Sequence, residues 1–303
     1  MDNALALRQM STAFEELGAR TPADPREREA GRGPRLITLG GDHSLSLPAL
    51  RALVKVHGPV RVLHFDAHLD TWHPAKYPSA WPSEQAHFNH GSSKFSFGTF
   101  TPLPTRLPGY RQANVLDWRP ANRGAVFWLA GQEGLLANSS AKPSVHAGLR
   151  TRLSGDDYGD WEDDSAQNWV RLGGGDEMDD TGAAAVAGRI MEALGTEDPV
   201  YLSVDIDVLD PAFAPGTGTP EPGGWSTREL IRVLRAVEGL NLVGADVVEV
   251  APAYQGAGEE TALAAAQVVY EVLSSMVKRG AREEGRGVPA AETPAGVDAK
   301  EEL

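Results

Sequence analysis

The chain contains no cysteine, which removes disulfide bracing and thiolate chemistry together. Basic residues are scarce beside acidic ones: 28 Lys and Arg stand against 42 Asp and Glu, for a formal net charge of −14. Nucleic-acid binding depends on clustered Lys and Arg that neutralise phosphates, so that class of partner is disfavoured. The same charge balance is compatible with a small cationic ligand. No apolar run is long enough to cross a bilayer, and no secretory leader is visible, because Met1 is followed at once by an acidic residue and a helical pattern. No internal repeat is found. As it stands, the chain reads as soluble and cytoplasmic, with no membrane partner.

What is present is a regular alternation. The 303 residues are 41% hydrophobic, enough for one large core or two small ones. Strand-like runs alternate with helical patterns, which predicts an α/β fold, a three-layer α/β/α arrangement around a mainly parallel sheet. Helical spacing marks residues 4–17 (Leu7, Met10, Phe14, Leu17), Ala183–Leu194, and a run through Leu263, Val268, Val272 and Met276. Another helix opens on Ser226-Thr227-Arg228-Glu229, a Ser-x-x-Glu capping box. Residues 1–278 read as a single domain. Residues 279–303 are charged, bear Pro and Gly and lack apolar periodicity, which predicts a disordered tail. The acidic runs Asp156-Asp157, Glu162-Asp163-Asp164 and Asp176 to Asp180 read as solvated loops, and His146, in a strand-like segment, as structural.

Three short clusters stand apart from this background. Val60 to Phe65 runs into Asp66-Ala67-His68-Leu69-Asp70, and Val200 to Val204 runs into Asp205-Ile206-Asp207. Residues two apart on a strand project to one side, so Asp66, His68 and Asp70 share a face while the extended backbone lasts, as do Asp205 and Asp207. Carboxylates crowded this closely repel one another unless a cation neutralises them. Leu36 to Leu39 reads as a third strand, followed by Gly40-Gly41-Asp42-His43-Ser44. Its His43 would sit at the carboxyl end of a strand, where open α/β sheets place their ligands. His43, Asp66, His68, Asp70, Asp205 and Asp207 are more oxygen and nitrogen donors than one tetrahedral zinc uses. The set suits two metal ions with shared carboxylates, and its hardness favours Mn²⁺.

These segments resemble the ureohydrolase family of arginases and agmatinases. The resemblance runs through Gly40 to Ser44, His64 to Asp70, Ser203 to Gly224 (SVDIDVLDPAFAPGTGTPEPGG) and Ala245 to Tyr254. The long third segment looks more like agmatinases than arginases, and Gly224 to Glu229 is similar to the fungal agmatinase-like branch. The resemblance implies that His43, Asp66, Asp70 and Asp205 hold one Mn²⁺ and that Asp66, His68, Asp205 and Asp207 hold the other. It implies further that Glu249 pairs with a guanidinium group and that His90 passes a proton to the leaving amine. The expected reaction is hydrolysis of a linear guanidino compound to urea, with agmatine giving putrescine. Guanidinobutyrate and other guanidino acids are the alternative substrates, and an inactive, truncated or pseudoenzyme product is the alternative of another class. The family also implies a homo-oligomer.

Three departures accompany the resemblance. The family has a longer segment before the position matched by Asp2, with a first strand, so that strand is expected to be missing here; related fungal sequences sometimes carry a leader, which leaves cytoplasmic or unknown as the alternatives for localisation. Residues Ser93–Val126 separate His90-Gly91-Ser92 from Phe127-Trp128, where the family runs on almost directly. That stretch reads as an atypical insertion, either a translated intron or a lid beside His90. Gln255 stands where agmatinases generally have Asp.

Overall fold

The computed structural model describes residues 3–23, 25, 33–73, 123–152 and 158–285. His90 and all but the last residues of the 93–126 stretch lie outside the described residues.

The chain begins with helix α1 (Asn3–Gly18), then strand β1 (Leu36–Leu39), helix α2 (Ser46–His57) and strand β2 (Arg61–Phe65). Helix α3 (Val126–Gln132), β3 (Ser144–Ala147), α4 (Gly159–Ala166) and β4 (Trp169–Leu172) follow. The remainder is α5 (Gly175–Leu194), β5 (Pro199–Asp205), α6 (Thr227–Ala236), β6 (Asn241–Val248) and α7 (Glu260–Glu283). Among the described residues the strands form a six-stranded sheet in the order β1-β6-β5-β2-β3-β4. Each pairing is parallel.

The layers follow from strand alternation. In β5, Val200, Leu202 and Val204 enter a core shared with α5, α6 and α7, which contributes Ile190, Leu230, Val233, Val268 and Val272. Tyr201 points to the opposite face, into a second core with Leu7 of α1, Leu50 of α2 and Phe127 of α3. A parallel strand covered on both faces is buried along its length, as β2 is, and mostly apolar, as β5 is. The expected α/β/α sandwich is therefore what the chain forms.

Local signals act as read. Ser226 accepts a hydrogen bond from the Glu229 N–H, and the Glu229 side chain accepts one from the Ser226 N–H, closing the capping box of α6. α5 is longer than its apolar pattern suggests, because about two further turns, which carry the acidic run Asp176 to Asp180 expected as a loop, precede a break at Gly182, whose φ is 76°. Two boundaries need correction. Helix α7 continues to Glu283, past the point where the tail was expected to begin. Arg279 holds it down by donating to the carbonyls of Thr196 and Gly239 and pairing with Glu283, contacts that apolar periodicity does not report. The end of the 93–126 stretch also belongs to the fold, since Ala125 and Val126 are buried at the start of α3.

Candidate metal centre

The strands end level with one another. Leu39 lies opposite Val247, Val247 opposite Val204, Val204 opposite Phe65, and Phe65 opposite Ala147. Asp66 and Asp205 are thus the next residues on adjacent parallel strands, whose axes are about 4.8 Å apart. Their carboxylates must converge at the carboxyl edge of the sheet.

The backbone turns at each cluster, and the extended conformation that would put Asp66, His68 and Asp70 on one face does not last. The Asp66 carboxylate instead accepts a hydrogen bond from the His68 N–H at 2.6 Å, and Asp70 takes a left-handed conformation with φ of 52°. Asp205 accepts one from the Asp207 N–H at 2.9 Å, and Asp42 one from the Ser44 N–H at 3.0 Å. Short acidic side chains bond readily to the backbone two residues on, which closes a tight turn. The same device, used at three strand ends, draws together side chains that a continued strand would have spaced about 7 Å apart along one face.

His43 is fully buried, and its Nδ1 lies 2.8 Å from Asp70 Oδ2 and 3.5 Å from both Asp66 Oδ2 and Asp205 Oδ2. That nitrogen makes no hydrogen bond of acceptable geometry. A buried polar atom without a partner calls for explanation, and a cation held between an imidazole and three carboxylates supplies one. On the other side His68 Nδ1 lies 3.0 Å from Asp207 Oδ2 and 3.2 Å from Asp66 Oδ1. Two groups can therefore hold a cation: His43, His64, Asp66 and Asp70, and Asp66, His68 and Asp207. Asp66 belongs to both. The residues present fit a pair of divalent ions with a shared carboxylate.

The electrostatics describe the same crowding. Burial pushes Asp205 well above the ordinary carboxylate range, with the charges of Asp207 and Asp66 adding to it. Burial and Asp66 push Asp207 up to about 6, and the same two causes raise Asp70. Asp66 goes the other way: burial opposes its charge, but the rings of His64, His43 and His68 hold it well below the usual range. Burial works to lower His43, yet closeness to Asp205, Asp66 and Asp70 lifts it well above its ordinary value. Burial likewise opposes His68, which Asp207 and Asp66 carry up to about 11.

The supports differ from side to side. His43 Nε2 lies 2.8 Å from Ser203 Oγ, and Ser203 donates at 2.7 Å to the buried Asp246 carboxylate. Tyr201 and Ser46 also donate to Asp246, each at 2.5 Å. The turn after β5 is gathered by Arg150, whose guanidinium donates to the carbonyls of Asp207, Val208, Leu209 and Glu221. Gly224 lets that guanidinium in, because a Cβ there would stand 2.6 Å from Arg150 Nη2. Asp207 Oδ1 in turn accepts from the Ala67 N–H, tying the two acidic turns together.

Glu249 follows β6 on the same rim. Its Oε1 accepts from the His43 N–H at 2.8 Å, and its Oε2 lies 3.4 Å from Arg123 Nη1. Burial raises its carboxyl above the ordinary range. The sheet thus assembles His43, Asp66, His68, Asp70, Asp205, Asp207 and Glu249 from four strand ends.

Sequence reasoning passed over two residues at this site. His64 carries no role in the motif's resemblance, yet it lies two before Asp66, the same alternation that relates Asp205 to Ser203. Its Nε2 is 2.9 Å from Asp66 Oδ2. Asp164 departs from the solvated run that the sequence predicts for Glu162-Asp163-Asp164. Asp164 is fully buried in α4, while Glu162 and Asp163 beside it are exposed. A single inward position in an acidic segment leaves no periodic signal.

Residues 1–274 match the profile described as the Arginase family. Two Schizosaccharomyces pombe proteins whose names carry the word agmatinase are similar to the chain. One is 43% identical over 283 residues, covering 91% of this chain and 61% of its own length. The other is 39% identical, covering 90% and 58%. The chain therefore spans about three fifths of the length of these relatives. Among solved structures, that of a hypothetical agmatinase from Burkholderia thailandensis superposes with a TM-score of 0.63 at 31% identity, covering 92% of this chain and 66% of the other. Proclavaminate amidino hydrolase from Streptomyces clavuligerus gives 0.64 at 30% identity, covering 91% and 71%. The carboxylate turns at level strand ends and the match along nearly the whole described chain lead to one statement: the chain belongs to the arginase family.

Proposed function

We propose that the chain is a binuclear manganese hydrolase that cleaves a linear guanidino compound and releases urea, with agmatine as the substrate and putrescine as the second product. The observation that carries this reading is the level placement of Asp66 and Asp205 with the unpartnered Nδ1 of His43 between their carboxylates. His43, Asp66, Asp70 and Asp205 would hold one Mn²⁺, and Asp66, His68, Asp205 and Asp207 the other. Two divalent ions in such a set supply a water acidic enough to furnish a nucleophile near neutral pH.

The chain's own residues account for the rest. Glu249, anchored by the His43 N–H, keeps its second carboxylate oxygen turned to the rim. There it binds the guanidinium and aims its central carbon at the acidic turns. The surrounding negative charge compensates a cationic substrate in a poorly solvated site, where such interactions are stronger than in water. His90 is assigned the proton transfer to the leaving amine, a task suited to an imidazole that titrates near neutrality. The names of the relatives support agmatine, and those names belong to the relatives. We assign the chain to a cytoplasmic homo-oligomer on the family's pattern.

A guanidino acid is the second reading, favoured by Arg123. Its part-exposed guanidinium stands on the rim 3.4 Å from Glu249, and once a substrate guanidinium takes Glu249, the displaced cation favours a distal carboxylate over a distal amine. The test is urea release from agmatine, guanidinobutyrate and arginine, with metal content measured on the same sample. Urea from agmatine with two Mn²⁺ per chain supports the first reading; urea from guanidinobutyrate alone selects the second. Full metal loading without urea from any guanidino compound would contradict both.

A further inference from the structure

One residue short of the strand ends, a polar row crosses the sheet. Asp246 lies opposite Ser203, Ser203 opposite His64, His64 opposite His146, and His146 opposite Arg171. Polar groups at such depth are retained where each finds a partner. Asp246 and Ser203 serve His43. The other half starts at His64, a member of the first candidate group, and leads away from the ligands assigned above, so the proposed function leaves it unused.

That half forms a continuous chain. His64 Nε2 meets Asp66 Oδ2 at 2.9 Å, and His64 Nδ1 meets His146 Nδ1 at 2.8 Å. His146 Nε2 then meets Asp164 Oδ1 at 3.0 Å. Asp164 also accepts from Thr71 Oγ1 at 2.8 Å and from Arg171 Nη1 at 2.6 Å. All four ring nitrogens are partnered and both rings are fully buried, so neither can turn without stranding a polar atom. Packing reinforces this: His146 stacks on Trp169 with centroids 4.1 Å apart, and His64 meets Phe127 edge-on at 4.7 Å. Burial opposes the charge of Asp164, but His146, Thr71 and Arg171 outweigh it and hold its carboxyl below the ordinary range.

We propose that Asp164 is a positioning residue for the metal centre, fastening both ends of the Asp66–Asp70 segment at once: the Asp66 end through His146 and His64, and the Asp70 end through Thr71. The inference rests on the metal reading given above. One carboxylate in α4 thereby sets the spacing between a shared ligand and a terminal one. Outer partners of metal ligands fix ligand orientation and typically govern affinity by about 10- to 100-fold. A merely structural ion pair would alter stability and leave metal affinity where it was.

The test uses the full chain stripped of metal and titrated with Mn²⁺ alone, followed by calorimetry and by the electron-paramagnetic signal of free Mn²⁺. Asp164→Asn keeps the shape and is expected to weaken Mn²⁺ binding by about 10- to 100-fold. In steady state its kcat falls while KM changes by less than about twofold, because Glu249 is untouched. Thr71→Val cuts one arm and has the smaller effect. His146→Gln, whose amide can both donate and accept, binds Mn²⁺ more tightly than His146→Leu. A cooperatively melting Asp164→Asn protein with wild-type Mn²⁺ affinity overturns the proposal. Should that variant not melt cooperatively, wild-type affinity in both Thr71→Val and His146→Leu overturns it equally. If the unaltered chain binds no Mn²⁺, it is the metal reading that fails.

Discussion

At the end of β2, Asp66 closes a turn by accepting the His68 N–H; at the end of β5, Asp205 closes the same turn by accepting the Asp207 N–H. Behind the first turn stand side chains, namely His64, His146, Thr71 and Asp164, in a buried network. Behind the second stands Arg150, whose partners are backbone carbonyls. One wall is therefore held by groups that orient ligands, the other by a group that holds the path of the chain. The two walls should fail differently when their supports are removed.

The largest effect is expected at the ligand the walls share. Asp66→Asn removes a charge from both candidate groups. It should reduce urea release by more than the roughly 100-fold that loss of an outer partner costs, with metal analysis showing both ions depleted. Asp207→Asn should deplete one ion in preference to the other.

Next comes the β5 wall. Arg150→Ala strands several part-buried carbonyls, and two or three such losses cost about 3 kcal/mol in all. Urea unfolding of the metal-free protein should show that shift in midpoint. Asp164→Asn should move the same midpoint less while moving Mn²⁺ affinity more. Equal midpoint shifts in the two variants would erase the distinction between the walls.

A smaller effect is expected from pH. Asp207, raised to about 6, and His68, raised to about 11, bind protons more tightly folded than unfolded. Such groups stabilise the metal-free fold below their unfolded values and lose that contribution as pH rises through the folded ones. The metal-free protein should therefore lose stability as pH rises through about 6. Mn²⁺ competes with these protons, so the gain in Tm on adding Mn²⁺ should be larger at pH 8 than at pH 5. A gain that shrinks with rising pH would contradict the ligand set.

The smallest concerns Arg123. Its contact with Glu249 is long and Arg123 is partly exposed, and exposed pairs contribute about 1 kcal/mol or less. Arg123→Ala should lower KM for agmatine by no more than about fivefold and leave kcat unchanged. A rise in KM would show that Arg123 helps to hold the substrate.

Much of this could be read from the residues alone. The apolar, β-branched runs before Asp66 and Asp205 announce parallel strands with acidic ends, and the Ser226 capping box marks the start of α6. Spacing did not disclose how the clusters turn. Alternation placed His68 and Asp70 beside Asp66 on a continued strand, whereas hydrogen bonds from acidic side chains to the backbone bend the chain there. Nor did the sequence distinguish Asp164 from Asp163, because only the packing of α4 against β4 buries one and exposes the other. Helix α7 outran its apolar pattern for a similar reason, since Arg279 docks on carbonyls from two other segments.

The central claim is that Asp66 and its neighbours cage two cations per chain, and counting bound metal tests it most directly. Metal-free protein dialysed against Mn²⁺ and analysed by atomic emission should retain two ions per chain, falling to one or fewer in Asp66→Asn. One ion per chain in the unaltered protein, or two in the Asp66→Asn variant, would contradict the account.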